Sequence, residues 1–600
     1  MTRRILLWQG GKAAAALLLV SRTGLAQDAL FTLAQIDDDP VLKAMRDEMD
    51  RSRKLRIAGG EDAPYFISYD FTDSEDYHTT ATLGSTLTTT RQHGRTPGAE
   101  VRVGSYQFDN TGHIFSGRYS GSRYDGDWPL DDNYEALREG FWLLTDRTFK
   151  AAMESIGRKR ASLKNAAAQS GEQIADFSHA DALVSLPKVA HKKIDDAALT
   201  QRFAKLSGVF TAYPEVTSSS VEYQLIDGIT YLLNSEGTAI RYADRLNWMV
   251  ARAEGQAEDG MMIRDAVSAQ TLDPDKLPPD TELRPRITEV GQHIRDLLKA
   301  PKGDEYTGPV LFEPAAAAQL MAQLVGDNLH VPRKPLADPG RNVNTIPSEF
   351  ETRVGARVLP EWMDVTDDPS QTTWNGKPLA GYYQFDLEGV APKPVAVIEK
   401  GILKSFLMTR QPIKGFSTSN GHARLLGGYG AYSAAIGNMF VTASQSMPLA
   451  DLKKRAAQMA MDRGKPYAML VRKLNFPFIG PVSELQSLAQ ASQQSGGSTW
   501  PLSPPVLIYR LYPDGREELV RGLRFRSVSS RNLKDIEAAS AETALFDFIN
   551  NSAPLALVGQ GGYVAGTAVV SPGILFEEME LEQPQDQLQK RPIVPPPPTA

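Results

Sequence analysis

The chain has 600 residues, of which 42% are hydrophobic and 23% charged, and it contains no cysteine. This length allows two or three domains, each with its own hydrophobic core. The formal net charge of −7 argues against a nucleic-acid-binding surface, and the lack of cysteine excludes disulfides and lipid-modified cysteines.

The N-terminus has the pattern of a secretory signal peptide. Arg3 and Arg4 form a positive region, Ala13 to Val20 an apolar core too short to span a bilayer, and a Gly-Leu-Ala cleavage site ends at Ala26. We therefore expect a signal peptide over 1–26 and a periplasmic or secreted mature protein, with a soluble amphipathic start as the alternative. No other stretch reaches transmembrane length, so no membrane span is expected.

Helical and strand patterns alternate along the first half of the chain. The periodicity predicts a helix over 38–56, strands over 65–72, 77–91 and 99–108, a long helix from 131 to about 168, strands within 218–255, and a helix near 281–299. Within 218–255, hairpin turns are predicted at Asp227-Gly228 and from Asn234 to Gly237. A turn-rich stretch after residue 300 predicts a domain boundary, so an α+β domain is expected over 27–300.

The most informative unit is a strand followed by a helix at 309–326. An apolar run from Pro309 to Phe312 predicts the strand, Pro314 suits the first helical position, and Gly326 marks the helix end. Polar residues recur every four positions on one face of this helix: Gln319, Gln323 and Asp327.

This unit resembles the corresponding unit of the TldD/PmbA family, also called the modulator of DNA gyrase family. Its peptidase members carry a His-Glu-x-x-x-His zinc motif there, and the three positions are here Ala322, Gln323 and Asp327. Alanine cannot bind a metal, and a glutamine amide cannot accept a proton from water. Because the family's further ligand is a cysteine, all three ligands are missing. We therefore expect no metal, no cofactor and no standard catalytic residue, although a metal held by Gln323, Asp327 and His330 is an alternative to a polar groove.

A second stretch, 385–426, also resembles the family. It contains an Asp-x-Glu-Gly turn from Asp386 to Gly389, strands at 395–398 and 402–408 around a Glu-Lys-Gly turn, and a glycine-containing loop at 417–421. The resemblance places this hairpin beside a cleft whose candidate lining residues are His330, Asp386, Glu388, Ser417 and Asn420. Asp386 and Glu388 fit either an acid/base pair or ordinary turn residues, and turn chemistry likewise accounts for the family-like Asn-Ser-Glu-Gly string at 234–237.

The remaining sequence predicts a helix over 448–463, a strand over 467–471, an exposed loop over 487–505, a hairpin from 506–512 to 516–522, and a disordered Pro-rich tail over 584–600. The resemblance implies a two-domain α+β fold, with a C-terminal domain over 306–583 that is rich in antiparallel strands. It also implies a homo- or heterodimer with a paralogue, and a peptide or unfolded protein as substrate.

Three functional hypotheses remain open at this point. The first is a catalytically degenerate, peptide-binding partner of a zinc-bearing paralogue in proteolysis. The second is a hydrolase with a non-standard site near Asp327, His330 and the 385–421 hairpin. The third is a non-catalytic structural envelope protein.

Overall fold

A computed structural model of the chain describes residues 18–19, 34–56, 63–114, 122–124, 128–165, 174–337, 347–427, 431–494, 501–551, 556, 564–584, 590 and 592. Most of the predicted signal peptide and of the Pro-rich tail lies outside these residues. Among the described helices, none combines the length and apolar character needed to cross a bilayer. The helices are Ala34–Asp37 (α1), Pro40–Ser52 (α2), Tyr134–Asn165 (α3), Asp196–Ser207 (α4), Asp280–Lys299 (α5), Pro314–Leu324 (α6), Leu449–Asp462 (α7) and Val482–Gln494 (α8).

The N-terminal half builds an eight-stranded sheet in the order β1-β6-β8-β7-β2-β3-β5, with β9 beside β8. Strands of this half are Leu18–Leu19 (β1), Pro64–Thr82 (β2), Ser85–Val103 (β3), His113–Ile114 (β4), Ser122–Tyr124 (β5), Leu183–Ser185 (β6), Ser218–Asn234 (β7), Ala239–Gln256 (β8) and Met262–Thr271 (β9). Alternate side chains of a strand point to opposite faces. Tyr69 and Met249 pack under helices α2–α5, whereas His78 and Trp248 point to the other face, toward the C-terminal half.

Two sequence predictions for this half are wrong. Three short strands were expected between 65 and 108, but β2 and β3 are 19 residues each and meet at a turn where Leu83 and Gly84 have positive φ angles. Asp227-Gly228 is not a turn, because β7 runs through it. There the Asp227 carboxylate accepts hydrogen bonds from Arg245 and from the Lys192 amide, which satisfy it inside the strand.

The C-terminal half builds an eleven-stranded sheet in the order β16-β15-β12-β19-β25-β10-β20-β21-β22, with β23 and β24 also paired to β25. Its strands, with the short pairs around it, are Tyr306–Phe312 (β10), Leu336–Ala337 (β11), Met363–Asp367 (β12), Thr373–Trp374 (β13), Lys377–Pro378 (β14), Val395–Glu399 (β15), Ile402–Leu403 (β16), Ala423–Leu426 (β17), Tyr432–Ala434 (β18), Asn438–Ala443 (β19), Ala468–Leu474 (β20), Pro505–Leu511 (β21), Glu517–Val520 (β22), Arg524–Phe525 (β23), Ile536–Asn550 (β24) and Ala565–Glu582 (β25). Alternation along β10 sends Leu311 toward α7, and Val310 and Phe312 into the core that contains α6.

In this half the strand–helix unit is confirmed as β10 and α6, and the helix predicted over 448–463 is confirmed as α7. The strand predicted over 402–408 is shorter, since β16 ends at Leu403. The loop predicted over 487–505 is wrong in its first part, because α8 extends to Gln494. Its apolar residues Leu485 and Ala489 lie four positions apart and are buried, which stabilises a helix despite the polar composition.

The two halves contact each other through apolar and charged groups. Leu507 of β21 packs in the core formed by α4, α5 and the N-terminal sheet. Lys473 of β20 donates to the buried carboxylate of Asp265 at 2.5 Å, and Arg264 of β9 contacts Glu484 of α8 at 2.7 Å. These contacts hold the free face of the N-terminal sheet opposite the start of α6.

Candidate functional site

The two glutamines of α6 are structural. Gln319 donates from Nε2 to the carbonyl oxygens of Leu474 and Phe476 at 3.2 and 2.7 Å, and its Oε1 accepts from the Leu474 amide at 2.8 Å. Gln323 donates to the Gln319 carbonyl at 3.0 Å and accepts from the Ser503 amide at 2.9 Å. Because each hydrogen bond replaces one to water and leaves no buried polar group unpaired, these side chains fix the helix to β20 and to the segment before β21.

The family resemblance implies zinc at this helix, but the residues present do not fit the metal. Ala322 is 1% exposed and carries no donor atom, and both polar ends of Gln323 are already hydrogen-bonded. Of the three motif positions, Asp327 alone keeps a potential ligand, an exposed carboxyl just beyond the end of α6. Within the described part of the chain, no group of three His, Cys, Asp or Glu side chains is arranged to hold a metal ion.

His330 lies just beyond this helix, next to a serine. Its Nδ1 is 3.2 Å from the Oγ of Ser433 on β18. Burial lowers the pKa of His330 to about 4, so the imidazole is neutral at pH 7. No ion pair joins Asp327 and His330 among the contacts of the described residues, although the two were predicted to share a polar groove.

The other predicted lining residues occupy different environments. Asp386 is 3% exposed, and its carboxylate accepts from the amides of Glu388, Val390 and Ala423 at 2.8–3.1 Å, which is the bonding of a turn residue. Asn420 likewise bonds the backbone, donating to the Phe406 carbonyl at 2.9 Å.

Glu388 is half-buried between the halves, and Ser417 lies at the surface. Glu388 accepts from the Arg410 amide at 2.6 Å and borders two small cavities, whereas Ser417 is exposed in the loop.

A cleft with a volume of about 1160 Å³ lies between the two halves. One wall is the free face of the N-terminal sheet, with His78, Gln224, Trp248 and Gln270. The opposite wall is formed by the start of α6 with Gln319, the end of β20, and Phe476, Phe546 and Asp547. This volume exceeds the roughly 300–1,000 Å³ of small-molecule sites, so the cleft has room for a larger ligand such as a polypeptide segment.

Buried polar atoms without hydrogen-bond partners line this cleft: Oδ1 of Asp547, Oε1 of Gln270 and Nε of Arg252. Burial raises the pKa of Asp547 to about 7, although Arg286 nearby favours the charged form. Arg286 itself donates to the Ser268 carbonyl at 2.5 Å, next to Gln270 on β9. Unpaired buried polar atoms are costly, so these atoms favour a ligand that offers both donors and acceptors.

Sequence reasoning missed the cleft residues because they come from several separate strands and two helices without any linear motif. Alternation within β8 was the available signal, since it places Trp248 and Arg252 on the face opposite Met249. The sequence also gave no reason to connect Glu236 with Arg410, which are 174 residues apart and form a buried contact between the halves.

Comparisons with known proteins agree with this architecture. Residues 305–460 match the family model described as PmbA/TldA metallopeptidase C-terminal domain. A metalloprotease of Archaeoglobus fulgidus is 23% identical over 216 residues, and one of Methanocaldococcus jannaschii is 27% identical over 202 residues. These matches cover 36% and 33% of this chain, and only 42% and 40% of the two relatives.

Solved structures match over a greater length. A putative modulator of a DNA gyrase from Thermotoga maritima has a TM-score of 0.53 at 12% identity, covering 90% of this chain and 99% of that one. TldE from Thermococcus kodakarensis has a TM-score of 0.52 at 14% identity, covering 90% and 100%. At such identities the likeness concerns the fold.

The matched domain and the fold define a metallopeptidase-like protein of the α+β class. Residues 305–460 belong to the PmbA/TldA metallopeptidase C-terminal domain family, and the chain as a whole has the fold of TldE.

Proposed function

We propose that this protein is a zinc-independent, peptide-binding member of its family, and that it holds unfolded polypeptide in the cleft between its two halves. The observation that carries this proposal is the replacement of the zinc-motif residues in helix α6. Gln319 keeps α6 at the wall of the cleft, while Ala322 and Gln323 supply no side chain for zinc chemistry. The frame of a peptidase site is therefore kept without its zinc ligands.

The cleft's own chemistry supports a polypeptide ligand. Trp248, Phe476 and Phe546 offer apolar contact area, and the unpartnered atoms of Asp547 and Gln270 offer acceptors for amide N–H groups. Aromatic side chains in pockets commonly dominate binding energy. Trp248 is therefore the side chain whose loss should weaken binding most.

The test is fluorescence anisotropy with a labelled, unfolded peptide and the full chain in the presence of a chelator. We expect binding that Trp248→Ala weakens about tenfold or more, equivalent to at least about 1.4 kcal/mol. Trp142→Ala is the matched control, since Trp142 is exposed on α3 and outside the cleft. No binding, or equal affinity for Trp248→Ala and wild type, would contradict the proposal.

We also propose secretion through the signal peptide at 1–26, and assembly with a zinc-bearing paralogue to which this chain contributes peptide binding. The resemblance to TldE and to curated metalloproteases supports this pairing. N-terminal sequencing of exported protein, with a start near Gln27, tests the first statement. Co-purification with the paralogue, and faster peptide cleavage in the mixture than by the paralogue alone, tests the second.

One contact favours a second function, hydrolysis without zinc. Ser433 Oγ lies 3.2 Å from neutral His330, which is the distance of a nucleophile and its general base. Ser433 would attack the peptide carbonyl while His330 takes its proton and returns it to the leaving amine; water then releases the acyl group. Peptide turnover in chelator that is lost in Ser433→Ala and kept in Ser417→Ala would support this function, and equal turnover by both would dismiss it.

A further inference from the structure

A fully buried arginine of the C-terminal half inserts into the N-terminal half. Arg410 is 0% exposed; its Nε and Nη2 donate to the Ser178 carbonyl at 3.0 and 2.7 Å, and Nη2 lies 2.8 Å from the Glu236 carboxylate. In return, the Ser178 amide donates to the Arg410 carbonyl at 2.9 Å. The rings of Phe177 and Phe66 lie 4.0 and 4.8 Å from the guanidinium. We call this joint the Arg410 latch.

Two small cavities of about 50 and 10 Å³ lie beside the latch and share Glu100, Glu388 and Tyr432. Asp70 of β2 and Arg410 line the smaller one. The Nη1 of Arg410 is buried there without a hydrogen-bond partner. The latch therefore borders a carboxyl-rich space between the halves.

Two of these carboxyl groups keep their protons to a higher pH than usual when the halves are closed. Burial, and secondarily Asp386, raises the pKa of Glu388 to about 8, although Arg410 nearby favours the charged form. Burial and Glu100 raise the pKa of Asp70 to about 7. The Asp70 carboxyl packs against Gly98 of β3. A Cβ atom added to Gly98 would lie 2.6 Å from the carboxyl carbon of Asp70.

Other charged or titratable groups surround the pair from every neighbouring element. The N-terminal half contributes Glu100, Arg102, Tyr106, His113, His179 and Glu236. The C-terminal half contributes Arg333, Asp386, Arg410, His422 and Tyr432. The cations are already engaged: Arg102 with Glu100, Arg333 with Asp176, and Arg410 with Glu236. Ionised Asp70 and Glu388 would therefore meet cations that other carboxylates already neutralise.

We propose that the Arg410 latch is a pH-sensitive closure between the two halves, in which protonated Asp70 and Glu388 keep the joint closed and their ionisation loosens it. The direction follows from proton linkage. Once the joint opens and water enters, both groups release protons near their ordinary values of about 4, whereas the closed joint retains them up to pH 7–8. Rising pH between these limits therefore favours the open state. Since the same halves form the cleft walls, loosening the latch widens the cleft. Only the effect of this widening on peptide binding rests on the proposed function.

Hydrogen–deuterium exchange of the full chain at pH 6 and pH 9, corrected for the intrinsic exchange rate, tests the latch directly. The readout is protection of peptides covering 174–180 and 404–411, which contain the Ser178 and Arg410 amides. We expect protection in wild type to fall between pH 6 and pH 9 by about tenfold for each pH unit by which a closed-state pKa exceeds 6, which is about a hundredfold from Glu388 and about tenfold from Asp70. Glu388→Gln keeps the shape and the acceptor for the Arg410 amide, and it should remove most of this pH response.

Asp547→Asn is the matched control, because Asp547 is a confined carboxyl with a raised pKa that lies in the large cleft, away from the latch. It should leave the pH response of both segments unchanged. If Glu388→Gln fails to fold, Asp70→Asn gives the same test. Equal protection of wild type at both pH values, or an undiminished pH response in both latch variants, would overturn the proposal. Neither readout requires peptide binding, so the latch and the peptide-binding function can fail separately.

Discussion

Replacing Arg410 by methionine removes a fully buried guanidinium from the polar contact between the two halves. Methionine fills much of the same volume but offers no donor to Ser178 or Glu236. The Glu236 side chain, 11% exposed, keeps only the Tyr106 hydroxyl at 2.6 Å and a histidine at 3.4 Å. The variant thus leaves a buried carboxylate without its cation.

The structure supports an estimate of the cost. Hydrogen bonds to charged groups contribute about 1.5–3 kcal/mol each, and removing one partner of a buried ion pair costs about 3–5 kcal/mol. Since Arg410 donates two bonds to Ser178 and pairs with Glu236, we expect Arg410→Met to reduce the free energy of opening the joint by about 4 kcal/mol. Arg410→Lys keeps the charge but not the planar fork, and should lose about half as much.

Local exchange is the appropriate assay, because a chain of two halves need not unfold in one step. The difference in protection of the Ser178 amide between variant and wild type converts directly into a free energy. Arg526→Met is the control; that arginine is more than half exposed, its carboxylate contacts are 3.7–3.8 Å, and its loss should cost under about 1 kcal/mol. A change below about 1 kcal/mol for Arg410→Met would refute the view that this contact closes the two halves.

Three further predictions concern single residues. Gln319→Leu breaks three hydrogen bonds to β20 and the segment after it and should lower stability by about 2–4 kcal/mol in urea unfolding, whereas Gln458→Leu on the exposed face of α7 should change it by under about 0.5 kcal/mol. The pKa of Asp547 is raised on folding, so its contribution to the stability of the folded state is full below pH 4 and is lost as pH rises toward 7. Asp547→Asn should therefore flatten the fall of the melting temperature with pH over that range. An unchanged dependence of the melting temperature on pH would contradict this assignment. Gly98→Ala should expel the Asp70 carboxyl and increase exchange of the latch segments at pH 6, where an unaltered rate would argue against the described side-chain position.

The elements that could be predicted are those in which the conformational preference of the local sequence matches the structure that the fold imposes. Pro314 and the alanine run identified α6, and Asn234 forms the predicted turn by accepting from the amides of Glu236 and Thr238. Asp227-Gly228 shows the limit of such reasoning. Its turn propensity is overridden by pairing with both β2 and β8, and only the fold reveals the Arg245 side chain that satisfies Asp227.

The candidate site was predictable only in part. The replacements at Ala322 and Gln323 can be read from the chain, but the role of Gln323 in binding Ser503 depends on a contact 180 residues away. The cleft residues Asp547 and Gln270 belong to different halves, and no spacing connects them. Long-range juxtaposition of this kind is created by packing, so a single sequence carries no local signal for it.

The most direct test of the central claim measures metal content and peptide binding on the same purified mature chain, before and after chelation. We predict no stoichiometric zinc, and an affinity for unfolded peptide that chelation leaves unchanged and Trp248→Ala reduces. One tightly bound zinc per chain, or peptide binding that disappears with the metal, would contradict it and would return Asp327 and its neighbours to a metal-dependent role.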